Sequence, residues 1–202
     1  MNLRPLVALL LALPLSAQHG PLGIDHKVPY DDHGIWKRSV QTDLEKATIA
    51  TELIGALWLG TDDRLGRTFW RSVDASALNA VTVFAAKRAF ARARPQQTDD
   101  PNRWFQGGGH ESFPSGEVSL QAAFVTPFIA EYASDTPWVW ALELLPAYDA
   151  VARVKTHGHW QSDVLVGWAV GTAFGMYAHG RNTPLTLGWS RDGAFVGFRK
   201  RF

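Results

Sequence analysis

The sequence predicts an all-α helix bundle followed by a small β-hairpin. Every long segment before residue 180 carries apolar residues at helical spacing. Proline or glycine stands where such segments end, as at Pro95 and Gly180. The tail instead alternates around the turn-forming pair Asp192-Gly193. With 202 residues, the chain is long enough for one domain with its own core.

The amino-acid composition excludes several classes of function for this chain. Hydrophobic residues make up 46% of the chain and charged residues 19%, as in ordinary globular proteins. The net charge is +1 and no basic stripe with interleaved aromatic residues occurs, so nucleic acid is not an expected partner. Cysteine is absent, which excludes thiol catalysis, disulfides and cysteine-rich zinc sites and leaves the compartment open.

Residues 1–17 have the features of a signal peptide. Arg4 gives a positive start, Leu6–Leu15 an apolar stretch, and Ser16-Ala17 a cleavage point. The stretch is short for a membrane span, so export to a periplasm or to the outside is expected. Anchoring through an uncleaved segment is the alternative. Residues 18–43, rich in Pro, Gly, Asp and His, are expected to form an extended lead-in.

The helix-bundle domain is predicted over residues 44–180. Each of its helices carries charge or proline within about 20 residues, so none is expected to span a membrane. Prolines predict a kink near Pro127 and an interruption at Pro146. The predicted helices are Leu44–Gly60, Thr68–Ala93, Ser115–Tyr132, Pro137–Arg153 and Gly158–Ala178.

The tail, residues 185–202, is predicted to be a β-hairpin. The stretches L-T-L-G-W-S and A-F-V-G-F-R-K-R-F flank Asp192-Gly193, a pair that favours a tight turn. The basic run Arg199–Arg201 is expected to be a solvated strand face, and contact with anionic lipid is the alternative.

Ionisable residues are densest between Arg153 and Asp163. His159 and Asp163 are four residues apart, so they would share one face of a helix that begins near Gly158. The carboxylate could then accept the imidazole Nδ1–H and leave Nε2 free as a nucleophile. Arg153 could hold an anion over the same pocket. A helix cap and a His-x-His metal site at His157 and His159 are the competing interpretations.

Two further clusters lie upstream. Lys87 and Arg94 are seven residues apart, which predicts that they lie on one helix face. Ser115-Gly116 is predicted to open a helix, where free N–H groups and the helix dipole favour an anion. Together the three clusters would form a cationic site with an imidazole directed into it. Phosphoryl transfer to a histidine requires such a site.

The motifs K-x6-R-P, P-S-G-E and A-R-x5-H-x3-D resemble the type 2 phosphatidic acid phosphatase superfamily, which includes class A bacterial acid phosphatases and vanadium haloperoxidases. The resemblance covers residues 87–163 and implies the helix bundle of that family. It implies a phosphohistidine on His159, oriented by Asp163, with no metal. It also implies a set of phosphate-binding residues: Lys87, Arg94, Ser115, Gly116 and Arg153.

Two positions depart from the family pattern. Ala152 replaces a serine, and Glu117 replaces the histidine that serves the family as general acid. Neighbouring cations favour an ionised Glu117, whereas burial or a bound phosphate favours the protonated form. Turnover could then rely on acidic pH with Glu117 as the acid, or on good leaving groups such as diphosphates. A proton from His110 or His157 is a third route, and loss of turnover a fourth outcome.

The sequence therefore predicts an exported, metal-independent phosphatase acting on phosphomonoesters or diphosphates, with lipid phosphates among the candidates. No resident cofactor is expected, although phosphate or vanadate would fit the site. Peripheral membrane contact is a further expectation. A vanadate haloperoxidase is disfavoured because the second-motif histidine is missing. The alternative from another class is a non-catalytic phosphate- or phospholipid-binding protein.

Overall fold

The computed structural model describes residues 19–181 and two strands of the tail. The predicted signal segment and the basic run 199–201 lie outside the described residues. The described helices form an all-α bundle, which confirms the predicted fold class. They are α1 (Arg38–Leu59), α2 (Arg64–Phe90), α3 (Gly116–Tyr132), α4 (Leu144–Lys155) and α5 (Gln161–His179), with short 3-10 turns at Pro21–Gly23, Gly34–Trp36 and Pro137–Glu143.

Helices α3 and α5 form the centre of the bundle and run parallel at very short separation. Glycines on α5 permit this: a Cβ atom at Gly167 would lie 2.5 Å from the Ser115 carbonyl oxygen, and one at Gly171 would lie 2.1 Å from that of Ser119. Because the two helices are parallel, their N-terminal ends meet. There the Ser115 N–H donates to the Asp163 carbonyl oxygen at 3.0 Å, which joins two of the predicted motifs.

The apolar part of the core lies towards the other end of α3. Phe124, Val125, Phe128 and Ile129 form one buried cluster, and Phe69 of α2 packs edge-on against Phe128 at 4.9 Å between ring centroids. Helix α3 continues through Pro127 without a break. Pro146 lies in the first turn of α4, where a missing N–H is tolerated.

Helix α1 has its polar residues inside and many of its apolar residues outside. The sequence correctly predicted a helix here, although the structure begins it at Arg38 and not at Leu44. Gln41, Thr48 and Glu52 are buried. The Thr48 hydroxyl donates to Gln121 Oε1 at 2.9 Å, so the buried polar groups bond to one another across the helix interface. The apolar residues at the exposed surface of α1 are Ile49, Leu53, Ile54, Leu57 and Trp58.

Helix α2 shows the same arrangement and ends earlier than predicted. Asp74 and Asn79 are buried, whereas Val81 and Phe84 are exposed. The helix ends at Phe90, and Ala91 follows in the left-handed conformation. Arg94 therefore lies in the loop after the helix, and the prediction that Lys87 and Arg94 share a helix face is wrong. In the described ranges, no helix combines the length and the apolar character of a membrane span.

The lead-in, residues 19–37, lies against the junction of α4 and α5. His26 and Gln161 exchange two hydrogen bonds, with His26 N donating to Gln161 Oε1 at 3.0 Å and Gln161 Nε2 donating to the His26 carbonyl at 2.8 Å. Asp31 N donates to the Lys155 carbonyl at 3.0 Å. In the tail, strands β1 (Leu185–Ser190) and β2 (Gly193–Phe198) pair antiparallel, with Leu185 opposite Phe198.

Candidate active site

His159 lies in the turn between α4 and α5. The helix begins at Gln161 with Trp160 as its N-cap, so the prediction of a helix start near Gly158 is wrong. His159 precedes the helix, and Asp163 occupies its first turn. The two side chains nevertheless come close, with 3.7 Å between His159 Nδ1 and Asp163 Oδ2. His159 is almost completely buried, at 2% exposure.

The shortest contact of the imidazole identifies its tautomer. His159 Nδ1 lies 2.6 Å from the Ser112 carbonyl oxygen, whereas 3.7 Å to Asp163 is beyond hydrogen-bonding distance. A carbonyl oxygen only accepts, so Nδ1 carries the proton and Nε2 has a free lone pair. Burial and the nearby cations lower the pKa of His159 well below its ordinary value, although Asp163 opposes this. The resting side chain is therefore a neutral imidazole.

Asp163 is coupled to His159 through Ser112. Its Oδ2 accepts the Ser112 hydroxyl and the Trp160 N–H, the latter at 2.9 Å. Its Oδ1 accepts from Arg92 Nη1 at 2.5 Å. Burial would raise the pKa of Asp163, but the Arg92 charge and the hydrogen bonds outweigh it and lower the pKa to about 2. An ionised Asp163 thus holds the residue whose carbonyl orients the imidazole.

Lys87 and Arg94 meet at one backbone carbonyl. Lys87 Nζ donates to the Glu111 carbonyl oxygen at 2.6 Å, and Arg94 Nη2 donates to the same oxygen at 3.2 Å. Arg94 Nη1 also donates to the Gly158 carbonyl at 2.8 Å and lies 3.5 Å from His159 Nε2. Burial, together with the Arg94 charge, lowers the pKa of Lys87 to about 8. Arg94 thus adjoins the edge of the imidazole that carries the lone pair, and Lys87 lies beside Arg94.

Arg153 is the third cation of the site. It lies at the end of α4 and is 6% exposed. Its guanidinium packs on Gly158, where a Cβ atom would lie 2.2 Å from Nη2. Nη1 donates to Gln41 Oε1 at 3.2 Å, but Nε has no hydrogen-bond partner among the described residues. Burial lowers the pKa of Arg153 to about 10. A buried cation with a free donor suits an anionic ligand.

Ser115 and Gly116 form the start of α3, as predicted. Ser115 is its N-cap and is fully buried, and its hydroxyl has no partner within the described part of the chain. A Cβ atom at Gly116 would lie 3.6 Å from Lys87 Cε, so the start of the helix adjoins the Lys87 side chain. The first N–H groups of a helix have no partner within it, and they favour anions.

Glu117 is held by a cation that the sequence reading missed. Arg38, in the first turn of α1, binds it in bidentate fashion: Nη1 donates to Oε2 and Nη2 to Oε1, each at 2.6 Å. Arg153 Nε lies 3.6 Å from Oε2. Burial would raise the pKa of Glu117, but the hydrogen bonds from Arg38 and the charge of Arg153 outweigh it, so the pKa is lowered. Glu117 is therefore a carboxylate at neutral pH.

The sequence model of the PAP2 superfamily matches residues 70–183, more than half of the chain. The chain belongs to the PAP2 superfamily. This confirms the resemblance inferred from the three motifs. All motif residues lie within the matched range, whereas Arg38 lies before it.

One relative and one solved structure are similar to this PAP2 protein. A lipid A 1-phosphatase of Porphyromonas gingivalis is 35% identical over 100 residues, which are 49% of this chain and 20% of that protein. The chain thus spans about a fifth of the length of the curated relative it matches. The crystal structure of Aquifex aeolicus LpxE superposes with a TM-score of 0.54 at 17% identity, covering 71% of this chain and 85% of that one. This second likeness shows the fold.

The two other histidines that were candidate proton donors differ in their surroundings. His157 Nε2 lies 2.7 Å from the Val28 carbonyl, and its ring packs edge-on against Tyr30, so the lead-in holds it. His110 lies directly before Glu111, and its Nδ1 is buried without a partner among the residues described. Within the described ranges, no group of three His, Cys, Asp or Glu side chains is arranged to hold a metal ion.

Several residues of the site carried no signal in the sequence. Arg92 lies within the K-x6-R-P motif at a position that the pattern leaves open, and Ser112 lies two residues before P-S-G-E, so position was the only clue available. Arg38 and Gln41 fall in a stretch predicted to be an extended lead-in, although the structure has them in the first turn of α1. Asp25 lies further still from any motif, yet it is 1% exposed and hydrogen bonded to Arg92.

Proposed function

We propose that the chain is a phosphatase that works through a phosphohistidine on His159. The observation that carries this proposal is the neutral imidazole whose protonated Nδ1 is fixed on the Ser112 carbonyl and whose free Nε2 faces Arg94. Phosphoryl transfer depends on positioning and on cations that stabilise the charge of the phosphoryl oxygens. Lys87, Arg94 and Arg153 would supply these cations.

The reaction would proceed in two displacements. Nε2 attacks phosphorus in line, an N–P bond forms, and the bond from phosphorus to the ester oxygen breaks. The imidazolium that results keeps its Nδ1–H on the Ser112 carbonyl, and the ionised Asp163 nearby stabilises its charge. Water then attacks the phosphohistidine, which releases inorganic phosphate and restores the neutral imidazole. The proposal includes no resident metal or cofactor.

The need to protonate the leaving oxygen restricts which substrates this site could hydrolyse. An ionised Glu117 cannot donate a proton, and its lowered pKa confines that role to acidic pH. We therefore favour substrates whose leaving group needs little protonation, such as diphosphates and activated phosphate esters. His110, with its unpartnered Nδ1, remains the proposed donor for other esters.

We further propose a lipid phosphate as the substrate. The relative from Porphyromonas gingivalis, a lipid A 1-phosphatase, supports this substrate class. The apolar side chains exposed on α1 and α2 support a peripheral contact with a membrane, because exposed apolar patches mark such surfaces. Export through residues 1–17 and lipid contact through Arg199–Arg201 concern residues outside the described ranges and stay predictions.

A second candidate is a phosphate- or phospholipid-binding protein without turnover. The specific observation in its favour is the Glu117–Arg38 pair, which removes the proton donor and keeps the cations of the site. In this case the same residues would bind phosphate or vanadate, and no phosphohistidine would accumulate.

The first test replaces the proposed nucleophile. We expect His159→Ala to lower phosphate release at least 10³-fold, because no other group can form the covalent intermediate, while the Kd of inorganic phosphate changes only a few-fold. A ³²P-labelled protein trapped by alkaline denaturation should appear in the wild type and be absent from the variant. His33→Ala, an exposed imidazole outside the site, is the control. Unchanged activity of His159→Ala would rule the mechanism out.

A second measurement separates the two candidate functions. Phosphate release by the wild type is followed between about pH 4 and 8 with p-nitrophenyl phosphate, an alkyl phosphate and a lipid phosphate in vesicles. The phosphatase proposal expects the aryl ester to react faster than the alkyl ester at neutral pH. Binding of vanadate without release from any substrate would support the binding protein instead.

A further inference from the structure

Asp25 is a buried carboxylate at the junction of the lead-in and α5. It is 1% exposed and surrounded by donors. Ser162 N donates to Oδ1 at 2.7 Å, the Ser162 hydroxyl donates to Oδ2 at 2.7 Å, and Arg92 Nη2 donates to Oδ2 at 2.6 Å. The three hydrogen bonds offset the free energy that burial of the carboxylate would otherwise cost, so the site holds Asp25 in one position.

Arg92 connects this carboxylate to Asp163. Its Nη1 donates to Asp163 Oδ1 at 2.5 Å and to Ser162 Oγ at 2.8 Å, while its Nη2 donates to Asp25. The remaining donors bond to the Pro101 carbonyl, at 3.1 Å from Nε and 2.7 Å from Nη2. All five N–H groups of the guanidinium are thus used. The group is fully buried, and Trp104 stacks on it at 4.4 Å.

The contacts continue from Asp163 to the imidazole. Asp163 Oδ2 accepts the Ser112 hydroxyl, and the Ser112 carbonyl accepts His159 Nδ1–H at 2.6 Å. The route from Asp25 to His159 therefore passes through Arg92, Asp163 and Ser112, and each step is a hydrogen bond between buried groups. A shift of Arg92 would move the carboxylate that holds Ser112.

We infer that Asp25, acting through Arg92, is a positioning residue for His159. The inference rests on the proposed role of His159 as the nucleophile. It extends that site to a residue that lies before the matched family range 70–183. Asp25 touches no reacting atom. It fixes the guanidinium that holds Asp163, and this keeps the proton of the imidazole on Nδ1 and its lone pair on Nε2.

The lead-in turn contains a pair of glycines that allows a controlled test. Gly20 and Gly23 have almost the same left-handed φ, +70° and +68°. A Cβ atom at Gly20 would lie 2.1 Å from Asp25 Oδ2 and 3.0 Å from Arg92 Nη2, whereas a Cβ atom at Gly23 would meet nothing within 4 Å. Alanine is strained at both positions because φ is positive, and Gly20, with ψ −171°, lies in a region that is almost restricted to glycine. Only Gly20→Ala displaces the carboxylate.

The experiment compares Asp25→Asn, Gly20→Ala and Gly23→Ala in the full chain. All three groups donate to Asp25, so the NH₂ group of asparagine would face the N–H groups of Arg92 or Ser162 in place of an accepting oxygen. We expect Asp25→Asn and Gly20→Ala to lower kcat at least tenfold with KM within about threefold, because the cations that bind phosphate are untouched. Gly23→Ala should keep kcat within about twofold. If Asp25→Asn does not fold, the two glycine variants decide the question.

A second readout does not depend on turnover. ¹⁵N NMR of histidine-labelled protein reports the tautomer of His159, assigned by comparison with His159→Gln. The wild type and Gly23→Ala should show the Nδ1–H form, and Asp25→Asn and Gly20→Ala a loss of that preference. Folded variants that keep both kcat and the Nδ1–H form would overturn the inference. A wild type without phosphatase activity would refute the proposed function, and the NMR comparison would still decide the role of Asp25.

Discussion

Arg38 and Glu117 put a carboxylate into a site built to hold an anion. The carboxylate is bound at 2.6 Å by both terminal nitrogens of Arg38 and lies 3.6 Å from Arg153 Nε. In the proposed mechanism a phosphate ester would use the same Arg153 donor, which has no hydrogen-bond partner among the described residues. Glu117 would then compete with the substrate for Arg153, in addition to lacking a proton to donate.

We expect Glu117→Gln to bind inorganic phosphate about tenfold more tightly, because it removes a negative charge and frees both guanidinium groups; tenfold corresponds to about 1.4 kcal/mol. Isothermal titration calorimetry at neutral pH gives the Kd. Glu45→Gln is the matched control: Glu45 is electrostatically coupled to Arg38 and Arg153, but no hydrogen bond links it to them. Its Kd should change less than about twofold. Unchanged or weaker binding by Glu117→Gln would contradict the competition.

The sequence could identify the chemistry of these residues better than their contacts. The types and spacing of Lys87, Arg94, Arg153 and His159 indicated an anion site with a nucleophile, and these side chains do lie together. Spacing alone could not show that the imidazole bonds to a backbone carbonyl, since every residue has one. It also could not reveal Arg38, whose pairing with Glu117 joins residues far apart in the chain.

The turn between α4 and α5 is the element that brings Arg153 and His159 together. Gly158 lies between them, and the Arg153 guanidinium occupies the space where a side chain would begin. Main-chain bonds keep the turn compact, because the Arg153 carbonyl accepts from both Gly158 N at 2.9 Å and His159 N at 3.2 Å. The absence of a Cβ atom at this position therefore determines where the cation lies.

Gly158→Ala is expected to displace the guanidinium of Arg153 without unfolding the chain, because the atom that must move is the end of a flexible side chain 2.2 Å from the new Cβ. The Kd of phosphate should rise about tenfold, and the melting temperature should change little. Gly108→Ala, where a Cβ atom meets nothing within 4 Å, is the control. Wild-type affinity in Gly158→Ala would show that Arg153 does not bind the anion.

The helices show which structural features the periodicity of apolar residues can predict and which it cannot. The spacing of apolar residues located every long helix, because helical periodicity is a property of the segment itself. It could not show which face of α1 is buried, because that depends on the neighbouring helices. Thr48 faces the polar Gln121, and Glu52 accepts the Ser76 hydroxyl at 2.8 Å, so polar residues are paired inside the bundle.

At the scale of the whole molecule, buried carboxyls set the dependence of stability on pH. Asp149 is fully buried, and burial followed by the charge of Glu117 raises its pKa to about 7. Burial also raises the pKa of Glu52 to about 7 and that of Asp74 to about 6. In the unfolded chain these groups lose their protons near their ordinary values, around 4. Between about pH 4 and 7 these three carboxyls hold more protons in the folded state than in the unfolded state. They outweigh the opposite contribution of His159, whose pKa is lowered on folding, so stability falls as pH rises.

We expect the free energy of unfolding to be highest near pH 4–5 and to decline towards pH 7, by about 1.4 kcal/mol for each pKa unit of a fully expressed shift. Urea unfolding across this range measures it. Asp149→Asn should flatten the decline and stabilise the protein at pH 8, because an amide carries no charge to bury. Asp62→Asn, an exposed position, should leave the slope unchanged. A free energy that rises from pH 5 to 7 would contradict this account.

Two residues that contact the candidate site lie outside the range that matches the family model. Asp25 and Arg38 precede residue 70, where the family match begins, yet one is tied to Asp163 through Arg92 and the other grips Glu117. A fragment excised at residues 70–183 would therefore leave Arg92 with a vacant donor and Glu117 without its bidentate partner. Chimaeras of this protein with a relative should therefore keep residues 19–59 together with residues 70–183, since the contacts of the candidate site extend beyond the matched range.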